Sequence, residues 1–213
     1  MVDGYLRQSP LAHLHLEARA TNDPTENEVG VERGECPPLG MINLRAQKSD
    51  PVLSPAITKI LGLELPTDVN TVSGRIDGIY TLCLGPDEWL IVTPSNKEQK
   101  LYNELIEALQ PLHTSINLVG EGRTVIRLSG LHARNVLAKG CSVDLHPRVF
   151  KPGQCAQTIL GRSDITVHQI AHKAKTNAAT YDIIVFRSFA EYVWTWLEDA
   201  AREYGVRVVI HPS

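Results

Sequence analysis

TVSGRIDGIYTLCLGPDEWLIVTPSNKEQKLYNELIEALQ, residues 71–110, is the stretch that decides the architecture. Three runs rich in β-branched and aromatic residues, at about 71–77, 79–84 and 88–93, are separated by Asp77-Gly78 and Gly85-Pro86-Asp87. Turns this short join antiparallel neighbours, because parallel strands need crossovers of about a dozen residues or more. Ser95 with Glu98 three residues later has the form of a capping box. Leu101, Leu105, Ala108 and Leu109 then recur at helical spacing, so the pattern predicts a helix to about Gln110.

The same order of elements surrounds this stretch. Upstream, residues 41–46 read as a strand, Ser54-Pro55 offers an N-cap and a first-turn proline, and Ile57, Ile60 and Leu61 share a face before Gly62 ends a short helix. Downstream, a strand at 123–128 leads to a helix that Ser129 would cap, with Leu131, Val136 and Leu137 inward. Strands at about 157–160, 165–171 and 180–187 follow. Ser188 and Glu191 have the form of a second capping box. Phe189, Tyr192, Val193, Trp196, Leu197, Ala200, Ala201 and Tyr204 fall on one helical stripe ended by Gly205, and residues 206–210 read as a last strand. Two copies of strand, helix, three strands, helix, strand predict an α+β fold of two similar antiparallel lobes, at about 39–120 and 121–213. Residues 1–38 are set apart as an N-terminal arm: 19–38 is polar, acidic and turn-rich, a loop or extended arm, and 9–18 fits a helical turn or a strand equally.

Composition narrows the function. With 213 residues, 43% of them hydrophobic, the chain can bury a substantial core. A formal net charge of −3 provides no field to hold a phosphate backbone or an anionic membrane, so neither nucleic acid nor membrane is an expected partner. The first residues carry an acidic group and no apolar core of a signal sequence, and Cys36, Cys83, Cys141 and Cys155 lie far apart with no Cys-x-x-Cys pair. A reducing, cytoplasmic location is the expectation.

The residues that invite a catalytic reading each have a plainer one. His168 and His172, in a β-branched setting, would point to one side of a strand about 13 Å apart, too far to share an ion. His13 and His15 rate no higher. Asp87 and Glu88 are adjacent in a strand and face opposite sides, so they cannot straddle a bond. Gly120-Glu121-Gly122-Arg123 lacks the Lys-Ser/Thr step of a phosphate loop. Cys141, just past a helix C-terminus, meets the wrong end of the dipole for a thiolate, unless Lys139 or Arg148 compensates, and reads more simply as a small buried group. Asp144 and His146 could act as orienter and base, but no Ser or Cys in a strained elbow accompanies them. Trp194 lies about 140° around the helix from Phe189, where it either closes the core or anchors an interface. Arg187 either reaches a carboxylate or is solvated.

Three segments carry a resemblance: LGPDEWLIVTP at 84–94, KGCSVDLHPRVFKPGQCAQT at 139–158 and RSFAEYVWTWLEDAAREYG at 187–205. From about Gly40 to about Arg207 the chain resembles the gamma subunit of heterotetrameric sarcosine oxidase. The resemblance implies a fold similar to the tetrahydrofolate-binding domain of the aminomethyltransferases, a duplicated α+β unit. It also implies a subunit with no active site, cofactor or metal of its own, stabilising a complex that oxidatively demethylates sarcosine to glycine and forms hydrogen peroxide and 5,10-methylenetetrahydrofolate. FAD, covalent FMN, NAD and zinc are expected in the alpha, beta and delta partner subunits. A gamma-like subunit of a related N-methyl amino acid dehydrogenase, such as N-methylglutamate dehydrogenase, and a stand-alone folate-binding protein are the alternatives.

With a multi-subunit setting implied, the irregular stretch 141–153 becomes the candidate contact with a partner subunit, because functional loops of this length usually bind something. Cys141, Asp144, His146, Pro147 and Phe150, together with Trp194, are the expected interface residues.

Overall fold

The computed structural model describes residues 7–20, 29–173 and 177–211. Two copies of one element order run through it. The first is β2 (Gly40–Ala46), α2 (Leu53–Leu61), β3 (Val72–Gly74), β4 (Tyr80–Gly85), β5 (Glu88–Thr93), α3 (Glu98–Leu109) and β6 (Thr114–Leu118). The second is β7 (Arg123–Gly130), α4 (Ala133–Ala138), β8 (Gln154–Leu160), β9 (Ser163–Lys173), β10 (Ala178–Phe186), α5 (Ala190–Ala201) and β11 (Val206–Val208). Before both lie α1 (Leu16–Arg19) and β1 (Val31–Glu35).

Each copy makes one sheet. The five-stranded sheet has the order β3-β4-β5-β2-β6, and the six-stranded sheet has β8-β9-β10-β7-β1-β11. Position by position the two orders correspond, except that β1 is inserted between β7 and β11. It pairs antiparallel with β7 and parallel with β11, the one parallel pairing among the described strands. All other neighbours are antiparallel, as hairpin-length turns require.

The polar stretch 19–38, expected to be a loop or arm, therefore contains a strand. Its sequence, VERGE, has no apolar alternation to signal it, because β1 buries Val31 against the core and Arg33 against α5 rather than a row of hydrophobic residues. Gly34 is needed in that strand: a Cβ there would lie 2.2 Å from the Val209 carbonyl oxygen. Residues 21–28 of the same stretch lie outside the described residues. Residues 9–18, left open between turn and strand, form a 3-10 turn at Ala12–Leu14 and the start of α1.

Period-two alternation in the strands sorts side chains into layers. Ile42, Leu44, Trp89 and Ile91 face α2 and α3. Ile126, Leu128, Val167, Ile183 and Val185 face α4 and α5. Between the sheets, Met41, Tyr80, Leu82, Leu90 and Val92 meet Cys36, Val125, Cys155 and Ile184. One side of this layer is closed where the edge strands touch, through Val72 N–H to the Gly153 carbonyl and Cys155 N–H to the Asn70 carbonyl, both 2.9 Å.

Helix starts differ from the sequence reading. Neither expected capping box forms: α3 begins at Glu98 and α5 at Ala190, without a side-chain cap on either. Ser188 is taken into a 3-10 turn, and Asn96 has φ +66°, so the chain enters each helix by a turn instead. Helix α4 starts at Ala133, not after Ser129, which leaves Leu131 exposed. Gly62, with φ +70°, ends α2 as predicted. Among the described residues no helix is long and apolar enough to cross a membrane.

Candidate functional site

The loop after α4 is built on three buried anchors, Cys141, Leu145 and Phe150. Cys141 N–H continues the helical bonding to the Leu137 carbonyl at 2.9 Å, and its Sγ packs 3.9 Å from Thr158 Oγ1. Leu145 and Phe150, the latter 5% exposed, insert into the core under α4 and α5. Between the anchors, Asp144 Oδ1 accepts the backbone N–H of His146 at 2.9 Å, His146 Nδ1 accepts that of Arg148 at 3.2 Å, and the His146 carbonyl accepts those of Val149 and Phe150. Asp144 thus shapes a turn through the backbone of His146 and does not orient its imidazole. Asp144 and His146 are exposed, Pro147 is half-buried, and Val149 points outward at 56% exposure.

Of the six expected interface residues, Asp144, His146 and Pro147 share this surface. Cys141, Phe150 and Trp194 do not: each is packed into the chain's own core. Trp194 is 1% exposed and central to its helix face, which comprises Ala190, Val193, Trp194, Leu197 and Ala201. Phe189 and Tyr192, placed inward by the sequence pattern, are exposed; the Tyr192 hydroxyl instead accepts the N–H of Arg162 at 3.0 Å. The rotation has a cause in β1. The fully buried Arg33 guanidinium lies 4.1 Å from the Trp194 ring centroid, its Nη1 donates to the Trp194 carbonyl at 2.6 Å, and Nη2 is 2.7 Å from Glu198.

A second cluster, in the layer between the sheets, was not assembled from the sequence. Cross-strand register sets Arg127, Asp182 and His168 side by side on β7, β10 and β9, with Cys155 next on β8. Arg127 grips Asp182 with two hydrogen bonds, 2.7 and 2.9 Å, and the bond to Asp182 raises the guanidinium's pKa. His168 packs against Tyr80 of the other sheet with ring centroids 5.6 Å apart; burial pushes its pKa down to about 4, so the imidazole is neutral. Burial likewise raises the Cys36 and Cys155 thiols to about 12, which removes both as nucleophiles. The signal in the sequence was one charged or imidazole side chain in the middle of each of three strand-like stretches, IRL, YDI and VHQ.

The remaining candidates resolve into structural roles. Glu88 accepts from Asn43 at 2.8 Å and from Arg45 at 2.6 Å, while Asp87 sits in the β4–β5 turn. Gly120–Gly122 is a 3-10 turn that opens into a strand. Arg187 Nη2 donates to the Gln8 carbonyl at 2.7 Å. His168 lies in a strand as read; the side chain of His172 lies outside the described residues. Among the described residues no three His, Cys, Asp or Glu side chains gather as a metal site would need. An open surface cleft of about 850 Å³ is lined by Arg45, Lys48, Asp87 and His113, but Arg45 is held by Glu88 and Lys48 by the Thr67 carbonyl.

The duplicated α+β sandwich defines the class: this is the fold of the aminomethyltransferases. Aminomethyltransferase T of the glycine cleavage system from Bartonella henselae superposes with a TM-score of 0.68 at 14% identity, over 96% of this chain and 59% of that one. The particular branch follows from sequence. The model of the sarcosine oxidase, gamma subunit family matches residues 45–203, and the chain belongs to that family. Sarcosine oxidase subunit gamma of Corynebacterium sp. strain P-1 is 31% identical over 94% of this chain and 92% of its own length. That of strain U-96 is 30% identical over 98% and 97%. A chain of the heterotetrameric sarcosine oxidase from Corynebacterium sp. U-96, solved in complex with pyrrole 2-carboxylate, superposes with a TM-score of 0.81 at 29% identity, covering 98% of this chain and all of that one.

Proposed function

We propose that this chain is the gamma subunit of a heterotetrameric sarcosine oxidase and that its contribution to turnover is mechanical. The observation that carries the reading is end-to-end correspondence with a subunit of such an enzyme, 98% of this chain on 100% of that one. Its residues fit a scaffold. Asp144 Oδ1 and His146 Nδ1 accept backbone N–H groups of a turn, Arg127 and Asp182 bind each other, and the Cys36 and Cys155 thiols are buried and protonated. The complex would demethylate sarcosine to glycine with formation of hydrogen peroxide and 5,10-methylenetetrahydrofolate, with FAD, FMN, NAD and zinc carried by the alpha, beta and delta subunits, in the cytoplasm.

Within this role the chain acts as one folate-domain-like unit of two lobes, about 39–120 and 121–213, with the β1 segment of the N-terminal arm threaded into the second. The 141–153 loop is the proposed partner contact, offered through Asp144, His146, Pro147 and Val149 on a base made rigid by Cys141 and Phe150. Co-purification from the native host tests the reading. Recovery of companion chains with sarcosine oxidase activity is the expected result, and a chain that purifies alone with stoichiometric reduced folate would replace it with a stand-alone folate-binding protein.

A further inference from the structure

At one end of the layer between the sheets the hydrophobic filling stops and an open groove of about 410 Å³ begins. Its floor is the last row of the six-stranded sheet: Arg123 pairs with Phe186 across β7 and β10, and beyond them come Asp164 on β9 and its partner Ile159 on β8, so that Arg123 and the groove's own carboxylate Asp164 lie at separate points of the row. Phe186 is 45% and Ile159 52% exposed, large apolar side chains facing a groove rather than a core. The opposite wall carries Glu88, with both its oxygens taken by Asn43 and Arg45.

Arg123 is the unbalanced member. Its guanidinium carbon lies 4.9 Å from the Phe186 ring centroid, and among the described residues its hydrogen bonding is a long 3.5 Å contact to the Val119 carbonyl. No carboxylate reaches it within 4 Å among the described residues; burial depresses its pKa, and the more distant charge of Glu88 on the opposite wall offsets that only in part. A planar five-donor group placed over an aromatic ring is suited to take a carboxylate in a bidentate pair.

We infer that the Arg123–Phe186–Ile159 groove is a docking site for a segment of a partner subunit that presents a carboxylate beside a large apolar side chain. The carboxylate pairs with Arg123, and the apolar group covers Phe186 and Ile159. The inference rests on the reading of the chain as a subunit of a larger enzyme and adds to it a second contact surface, separate from the 141–153 loop, with its chemistry. Half-buried arginine and aromatic side chains are the types that dominate interface energetics.

The test uses the complex assembled by co-expression with its companion subunits. A benzoylphenylalanine placed at Ile159, a position open enough to accept it, is photolysed in the intact complex and the cross-linked peptide sequenced. The expected product joins Ile159's position to a companion segment containing Asp or Glu. Arg123→Glu should then lower recovery of the complex roughly tenfold, as loss of a hot-spot contact does, and an Asp/Glu→Lys exchange at the cross-linked segment should restore it. Thermal unfolding of the free variant chain at the wild-type midpoint excludes misfolding; if Arg123→Glu does not fold, Ile159→Asp is read in its place. A complex that forms normally but cross-links to no companion, or to a second copy of this chain, overturns the groove assignment and leaves the subunit reading intact. So does recovery of both charge variants at wild-type yield. A wild-type chain that recovers no companions overturns both.

Discussion

The buried guanidinium of Arg33 lies 4.1 Å from the centre of the Trp194 ring and donates to the carbonyl of the same tryptophan at 2.6 Å. One side chain thereby ties the inserted N-terminal strand to the last long helix. Glu198 completes the arrangement, 2.7 Å from both Arg33 and Arg19. Burial lowers the Arg33 pKa, while the Glu198 bond and charge oppose that shift.

Replacing Arg33 should therefore cost more than trimming its partner. Arg33→Ala removes the packing under Trp194 and the bond to its carbonyl and leaves Glu198 to Arg19 alone, and should lower the unfolding free energy by about 3 kcal/mol. Glu198 is partly solvated, so Glu198→Gln should cost nearer to about 1 kcal/mol. Urea denaturation of the two variants checks the order, and equal losses would contradict it.

Gly140 sits where no side chain fits. A Cβ there would stand 2.3 Å from Cζ2 of Trp196, an aromatic ring held between α4 and the β8–β9 hairpin. Gly140→Ala should destabilise the chain by about 1–3 kcal/mol through overpacking. The thermal midpoint is the readout, and an unchanged midpoint would show that Trp196 moves freely.

His168 gives the fold a pH dependence of defined sign. Burial holds its pKa at about 4 against 6.5 unfolded, with Asp182 working the other way and Arg127 reinforcing the shift. Above pH 6.5 both states are neutral and the group costs nothing; as pH falls from 6.5 toward 4 only the unfolded chain takes up the proton. Stability attributable to this residue is lost over that window, amounting to about 3 kcal/mol at its lower end. His168→Asn should flatten the stability profile between pH 4 and 6.5, measured by urea titration at several pH values; a parallel profile would place the acid sensitivity elsewhere.

Much of the architecture was legible because it rests on local patterns. Hairpin turns at Asp77-Gly78 and Gly85-Pro86-Asp87 and the apolar periodicities of α3 and α5 specify both element type and antiparallel pairing. What escaped was set by distant partners. β1 was hidden because Arg33 earns its burial from Trp194 and Glu198, 161 and 165 positions away in the chain, and no local period reports that. The same pairing turned Trp194 inward and released Tyr192 to the surface. The Arg127–Asp182–His168 row needed cross-strand register, which a single sequence does not state; the 141–153 loop could be located, but which of its residues face out depended on Leu145 and Phe150 turning in.

The loop itself yields a separable pair of outcomes. Val149 is exposed and Phe150 is core, so Val149→Asp should leave the free chain's thermal midpoint within about 2 °C of wild type and reduce recovery of the assembled complex. Phe150→Asp should prevent stable folding. Complex recovery unaffected by Val149→Asp would remove the loop from the interface.

The central claim is that the chain holds catalytic neighbours together without performing chemistry. The most direct measurement is sarcosine turnover per assembled complex for wild type and for Cys141→Ala, Asp144→Asn and His146→Ala, alongside the purified chain alone. Turnover per complex unchanged by all three, with no hydrogen peroxide from the isolated chain, is the predicted result. A large fall in turnover at normal assembly, or oxidation of any methylated amine by the chain on its own, would contradict it.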